Sequence, residues 1–330
     1  MNMNLPFWEI LQCRRLSTAD RSLLGLFFFF SFACFFLPLH TQATRATEPS
    51  LPSPPYSQLA FVAYLEGSWD LFVVSDNGTG LTGLRRLTNT PFDERNPSWS
   101  QDRNSIVYST SDGYIHKFDL IAEKDVLLKT LKGVNVQPIF ISDSDGQDVL
   151  YVHFSEEVPD DTDLYLLDIK TGKSRLFLGQ RSQQFYPCWS PNGEHMAYIN
   201  VLCSNPCDRM IQEIWVTDRF GKNARQLILT NSACETPAWF PDGRRLALSS
   251  DLSGNFDIYI YDIADRTLKP VTTDPHSDTS PAWSPDGSKL AFVSTRSGQS
   301  EIWIKDLVSD NLKRFVPFPG QEVSCKDVTW

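Results

Sequence analysis

One phrase recurs through this chain and constrains its fold more than any other feature. It reads "SPAWSPDGSKLAFV" from Ser280, "TPAWFPDGRRLALS" from Thr236 and "YPCWSPNGEHMAYI" from Tyr186. Looser copies are "QPIFISDSDGQDVLYV" from Gln137 and "NPSWSQDRNSIVYS" from Asn96. A sixth copy is split. The sequence ends at Trp330, where its aromatic would stand, and its apolar continuation "LAFVAYLEGSWDLFVVSD" begins at Leu59. The aromatic anchors Trp99, Phe140, Trp189, Trp239, Trp283 and Trp330 are 41, 49, 50, 44 and 47 residues apart. A period of about 40 to 50 residues, filled with strands rather than helices, indicates a radial array of small sheets.

Each unit reads as four strands. The first ends at the aromatic, and Pro-Asp-Gly turns the chain because proline fixes φ and glycine tolerates φ > 0. An apolar second strand follows, then an alternating third such as "DIYIYD" or "EIWIKD", an Asp/Gly turn and a short fourth strand. Period-two alternation broken every eight to twelve residues is an all-β pattern. The expectation is a six-bladed β-propeller over residues 58–330, closed by pairing of the C-terminal strand with the N-terminal strands. Counting the split copy as the first unit, Trp99 anchors the second and Trp283 the sixth. The aromatics are expected to pack between blades.

Residues 1–46 pose a separate question. Arg14, Arg15 and Arg21 precede an apolar run of about eighteen residues from Ser22, with small residues at Ala43 and Ala46. This describes either a cleaved secretory signal or a retained membrane anchor, and the basic flank predicts export of the remainder in both cases. A Pro/Ser-rich linker covers 47–57. Without residues 1–46, 30 − 4 leaves 26 basic side chains and 40 − 2 leaves 38 acidic ones, a net charge of −12. That argues against nucleic acid or an anionic membrane as partner, so membrane contact is expected only through the N-terminal segment. Export permits disulfides, and Cys203 and Cys207 in "CSNPC" are a candidate pair among five remaining cysteines.

The phrase P-x-W-S-P-D-G, an apolar strand, "SGQSEIWIKDL" and a closing "LT" resemble the propeller repeat of the TolB family. The resemblance covers about residues 58–330 and implies a six-bladed ring. TolB proteins carry an α/β domain ahead of the propeller, and only a signal and a short linker precede Leu59 here. Docking to inner-membrane Tol components through that domain therefore does not carry over. Binding of a peptidoglycan-associated lipoprotein by the propeller is what the family would suggest.

Loops entering first strands and loops joining second to third strands share one face of such a ring. The residues expected at that channel mouth are Glu94, Arg95, Gln184, Tyr186, Glu235, Asp278, Thr279, Lys326 and Asp327. Five residues before each anchor stand Glu94, Asn135, Gln184, Cys234, Asp278 and Cys325, a polar and mixed set. Two longer loops on this face are "HFSEEVPDDTD", with Glu156, Glu157, Asp160, Asp161 and Asp163, and "NVLCSNPCDRMIQE". Long loops on a rigid scaffold are where recognition resides. The acidic loop lacks EF-hand spacing, so no cofactor is expected, with a bound cation such as Ca²⁺ the alternative. There is no G-x-S-x-G elbow, H-E-x-x-H or phosphate-cradling loop. Two functions follow as expectations: a monomeric, non-enzymatic exported propeller binding a protein or envelope component, or a cation-dependent sugar lyase or lactone hydrolase using carboxylates at the channel mouth.

Overall fold

The computed structural model describes residues 57–76, 80–141, 148–154, 161–204, 209–230 and 232–330, without the side chains of 202–211. Residues 1–46, the acidic residues Glu156, Glu157 and Asp160, and the Cys203–Cys207 pairing lie outside what is described. Among the described residues there are twenty-four strands and no helix. Four sheets hold four strands each, and one holds eight.

In every sheet an inner strand ends at or beside an anchor aromatic, and three more strands follow in meander order. Glu94–Trp99, Ser105–Thr110, Ile115–Asp119 and Lys124–Leu127 form one such set. The split unit is assembled as the sequence implied: Cys325–Thr329 pairs antiparallel with Ser57–Leu65, with Ala63 opposite Cys325 and Ala60 opposite Thr329. The expectation of six separate four-stranded units needs one correction. The third and fourth units run together into the eight-stranded sheet through one parallel residue pair, Thr162 opposite Gln183. The cause is local. Thr162 Oγ1 accepts from the Gln184 amide at 2.7 Å and donates to the Gln184 carbonyl at 3.0 Å, so a side chain completes a strand-like bridge.

Three copies of the recurring phrase build the same serine-closed turn, and the Thr236 copy holds Phe240 in the serine's place. Ser284 Oγ donates to Asp286 Oδ1 at 2.6 Å, which accepts from the Ser288 amide at 3.0 Å, while Ser284 Oγ accepts from the Lys289 amide at 2.9 Å. Ser190 with Asn192, and Ser100 with Asp102, repeat the arrangement. Glycine follows at φ near +70° in Gly193, Gly243 and Gly287, and at Gly287 a Cβ would sit 2.4 Å from the Phe240 ring.

The anchors are packing residues, as expected. Trp283 is buried edge-on against Phe240, and its indole N–H donates to the Ala238 carbonyl of the preceding unit at 3.1 Å. Trp239 donates to Cys188 in the same way at 3.2 Å. Consecutive units share apolar clusters, and the last meets the first: Ala291, Val293 and Ile302 pack with Leu59, Phe61 and Phe72. Each sheet face is thereby removed from water by its neighbour, the main stabilising term in an array of small sheets.

Candidate functional site

The inner strands line a central channel, and all six carry the same irregularity. Three residues before each anchor, the backbone adopts a left-handed conformation: Asn96, Gln137, Tyr186, Thr236, Ser280 and Asp327 have φ between 48° and 53°. Strand register slips at each of these points, for example between Arg95 and Ser98. A bulge adds one residue on one strand and re-aims what precedes it. Four of these residues bond in two pairs across units. Asp327 Oδ2 accepts from the Asn96 amide at 3.1 Å, and Gln137 Oε1 accepts from the Tyr186 amide at 2.7 Å.

The bulge explains which mouth residues were misplaced. Simple alternation sends the residue five before the anchor to the side opposite the aromatic. One extra residue reverses that parity. Glu94, Asn135, Gln184 and Asp278 are therefore wholly buried, and Cys234 and Cys325 nearly so. They staple the loops entering the inner strands instead of lining the mouth. Glu94 Oε1 accepts from Thr90 Oγ1 at 2.7 Å, the Asn135 amide donates to Leu131 and Gly133 carbonyls at 3.0 Å, and Asp278 meets Arg296 at 2.7 Å. Gln184 Nε2 donates to Ser182 Oγ at 2.9 Å. Burial raises the Glu94 carboxyl to about 7 against the opposing hydrogen bond from Thr90, with the nearby Asp70 charge adding to the rise.

At the next position along, Val136 and Phe185 join an apolar cluster and four polar side chains stand at the other units. Arg95, Glu235, Thr279 and Lys326 are half-buried there. Arg95 lies 3.5 Å from Asp93, and Lys326 Nζ sits 4.0 Å above the Trp69 ring. Burial lowers the Lys326 ammonium below the usual lysine range; the Asp327 charge opposes this and Arg95 adds to it. Burial raises the Glu235 carboxyl, helped by Asp251. The Tyr186 phenol, raised by burial, feels both Glu235 and Asp327. Five of the nine expected mouth residues thus share one electrostatic neighbourhood: Arg95, Tyr186, Glu235, Lys326 and Asp327. Among the described residues no group of three His, Cys, Asp or Glu side chains is placed to hold a metal ion.

Sequence reading missed an aromatic strip beside this mouth. Tyr64, Phe92 and Tyr114 are 47%, 43% and 49% exposed. Tyr64 packs on Trp69 with ring centroids 5.5 Å apart, the Trp69 amide donates to Asp93 Oδ1 at 3.3 Å, and the Asp93 amide donates to Ser111 Oγ at 3.1 Å. Three loops from two units are so tied into one surface. Tyr64 lies at the end of the strand Ser57–Leu65 and Phe92 and Tyr114 lie in two separate loops, so no periodicity marks them together. Of the acidic loop, Asp161 and Asp163 are described; burial raises the Asp163 carboxyl, and the Asp161 charge adds to it.

Beyond the bulges, the turn side of the channel widens into a cavity of about 720 Å³. Its wall is largely the repeated phrase itself: Pro97, Pro138, Pro187, Pro237 and Pro281, the residues after them, every anchor but Trp189, and turn residues such as Gln101, Arg103 and Pro285. The phrase therefore lines space as well as packing sheets.

The sequence profile of the TolB β-propeller domain matches residues 176–326. The Tol-Pal system protein TolB of Ruthia magnifica subsp. Calyptogena magnifica is 33% identical over 89 residues, 27% of this chain and 20% of that protein. The matched stretch thus spans about a fifth of that relative. The crystal structure of TolB from Acinetobacter baumannii superposes with a TM-score of 0.67 at 17% identity, over 83% of this chain and 66% of that one. An oligogalacturonate lyase in complex with manganese superposes at 0.53 and 18% identity, over 78% and 73% of the two chains. At these identities the superpositions establish fold alone. The chain carries a TolB-like β-propeller.

Proposed function

We propose that this chain is an exported, six-bladed binding propeller that docks a protein or cell-envelope component on its loop-rich face. The two halves of the eight-stranded sheet act as two blades, and residues 47–57 link the ring to an N-terminal signal or anchor. The observation that carries the reading is the exposure of Tyr64, at a strand end, and of Phe92 and Tyr114, on loops, beside segments tied together near Arg95, Lys326 and Asp327. Exposed aromatics beside fixed charges on a rigid support suit recognition of another macromolecule. The charges set orientation and the rings supply apolar contact. The Tol-Pal relative makes a protein of the envelope the first partner to test.

The test is capture from solubilised envelopes, identification of the retained protein, and titration of that purified protein against wild type and a Tyr64→Ala/Phe92→Ala/Tyr114→Ala variant. The reading expects at least a tenfold loss of affinity in the variant. Equal affinity would remove the strip from the interface. A stoichiometric divalent cation in the purified protein, with turnover of a sugar or lactone, would replace the binding reading with the enzymatic one.

A further inference from the structure

The turns that close the inner strands offer an internal comparison. In the fourth, fifth and sixth units, the residue four after the anchor is Gly193, Gly243 or Gly287, at φ of 68°, 70° and 70°. In the second unit that place is taken by Arg103, which adopts the same left-handed backbone at φ 61°. A side chain there is strained where glycine is not, and the three glycine copies show that the turn forms without it. The turn itself does not call for an arginine.

The side chain lies on the rim of the 720 Å³ cavity. Its guanidinium carbon is 4.3 Å from the centre of the Trp99 ring, and one of its nitrogens donates to the Gln58 carbonyl at 2.5 Å. Among the described residues no carboxylate pairs with it. Its surroundings remove water enough to lower its proton affinity, and no neighbouring anion restores it. Cations set into a protein surface without a counter-charge are costly, and their usual compensation is an anion from outside. Arg103 is the one cationic side chain among the cavity's lining residues; the lining anion, Asp327, belongs to the bulge ring at the inner end, where it accepts from Asn96. Between them the wall is mostly apolar, with the five prolines, Ile139, Ala238 and Ala282, interspersed with hydroxyls such as Ser98 and Ser280.

We propose that the turn side of the channel is a second binding site, distinct from the loop face, for a small organic carboxylate with an apolar body. Arg103 holds the carboxylate through its remaining N–H donors, a planar fork that matches two oxygens. The apolar body lies against the proline-lined wall and points away from Asp327. The cavity shares Tyr186 and Asp327 with the loop-face mouth, but Arg103 and the aromatic strip have no residue in common, so a variant of either tests one site without altering the other.

The experiment uses the whole exported chain and titrates phenylacetate, following tryptophan fluorescence and calorimetric heat. Phenylacetamide serves as the neutral isostere. Wild type should bind phenylacetate at least tenfold more tightly than phenylacetamide, a difference of about 1.4 kcal/mol. Arg103→Gly restores the residue of the sister turns and should keep the fold while losing that preference. Arg103→Lys should retain part of it. Three results would overturn the proposal: no phenylacetate binding by wild type, equal binding of the acid and the amide, or unchanged affinity in Arg103→Gly. If the last came with a lowered melting temperature, Arg103 would be assigned to clasping Gln58 instead.

Discussion

At the turn end of the channel a proline two before the anchor recurs in five units, and a serine with an acidic or amide side chain closes the turn at Ser100, Ser190 and Ser284. At the loop end, the position four before the anchor holds Arg95, Val136, Phe185, Glu235, Thr279 and Lys326, and the surrounding loops differ in aromatic content. Both ends are built on the same six strands. Repetition at one end satisfies packing and turn chemistry that several units share. Divergence at the other marks where no common structural demand acts. The second unit's Arg103 is the exception that departs from the repeat inside the repeated end.

The comparison predicts that damage to stability concentrates in the repeated phrase. Trp283→Ala removes a buried indole, its edge contact with Phe240 and the bond to Ala238, and should cost about 3–5 kcal/mol in urea denaturation. A smaller loss, under about 1 kcal/mol, would mean that neighbouring sheets do not depend on the anchors.

Glu94 sharpens the comparison, because it sits in a loop-end position but plays a structural part. Its carboxyl is raised in the folded chain, so the unfolded chain ionises first as pH rises. Stability should therefore fall between about pH 4.5 and 7 and level off above. Glu94→Gln should flatten that slope and gain about 1–3 kcal/mol at pH 8. An unchanged slope in the variant would show that Glu94 is ionised in its loop staple at neutral pH.

Ser284→Ala opens one copy of the turn and should cost about 1 kcal/mol by the same denaturation assay. At the loop end, Tyr64→Ala and Tyr114→Ala should each change stability by no more than about 0.5 kcal/mol, the range of exposed substitutions. If either matched Trp283→Ala in cost, the strip would be core rather than surface.

Much of this was legible in the sequence, and the exceptions have physical causes. The repeat, its strand order and the pairing of Ser57–Leu65 with Cys325–Thr329 follow from the spacing of the anchors and the split copy. The bridge at Thr162 was not legible, because one hydroxyl placed between two strands leaves no periodic trace. The mouth was half legible. Arg95, Tyr186, Glu235, Lys326 and Asp327 come together, whereas Glu94, Gln184 and Asp278 are buried because the bulge reverses side-chain parity. The cavity was not legible, because its wall consists of residues that packing and turn formation already require. Arg103, by contrast, stands out in the alignment of copies once the three glycines at its position are seen.

The division of labour between the two ends is tested most directly by hydrogen exchange on the chain with its captured partner bound. The account predicts slowed exchange in segments 64–69, 90–95 and 111–114 of the loop face, with turn segments 100–104, 240–244 and 284–288 unchanged. Protection confined to those turns, with the loop-face segments exchanging as in the free chain, would contradict it.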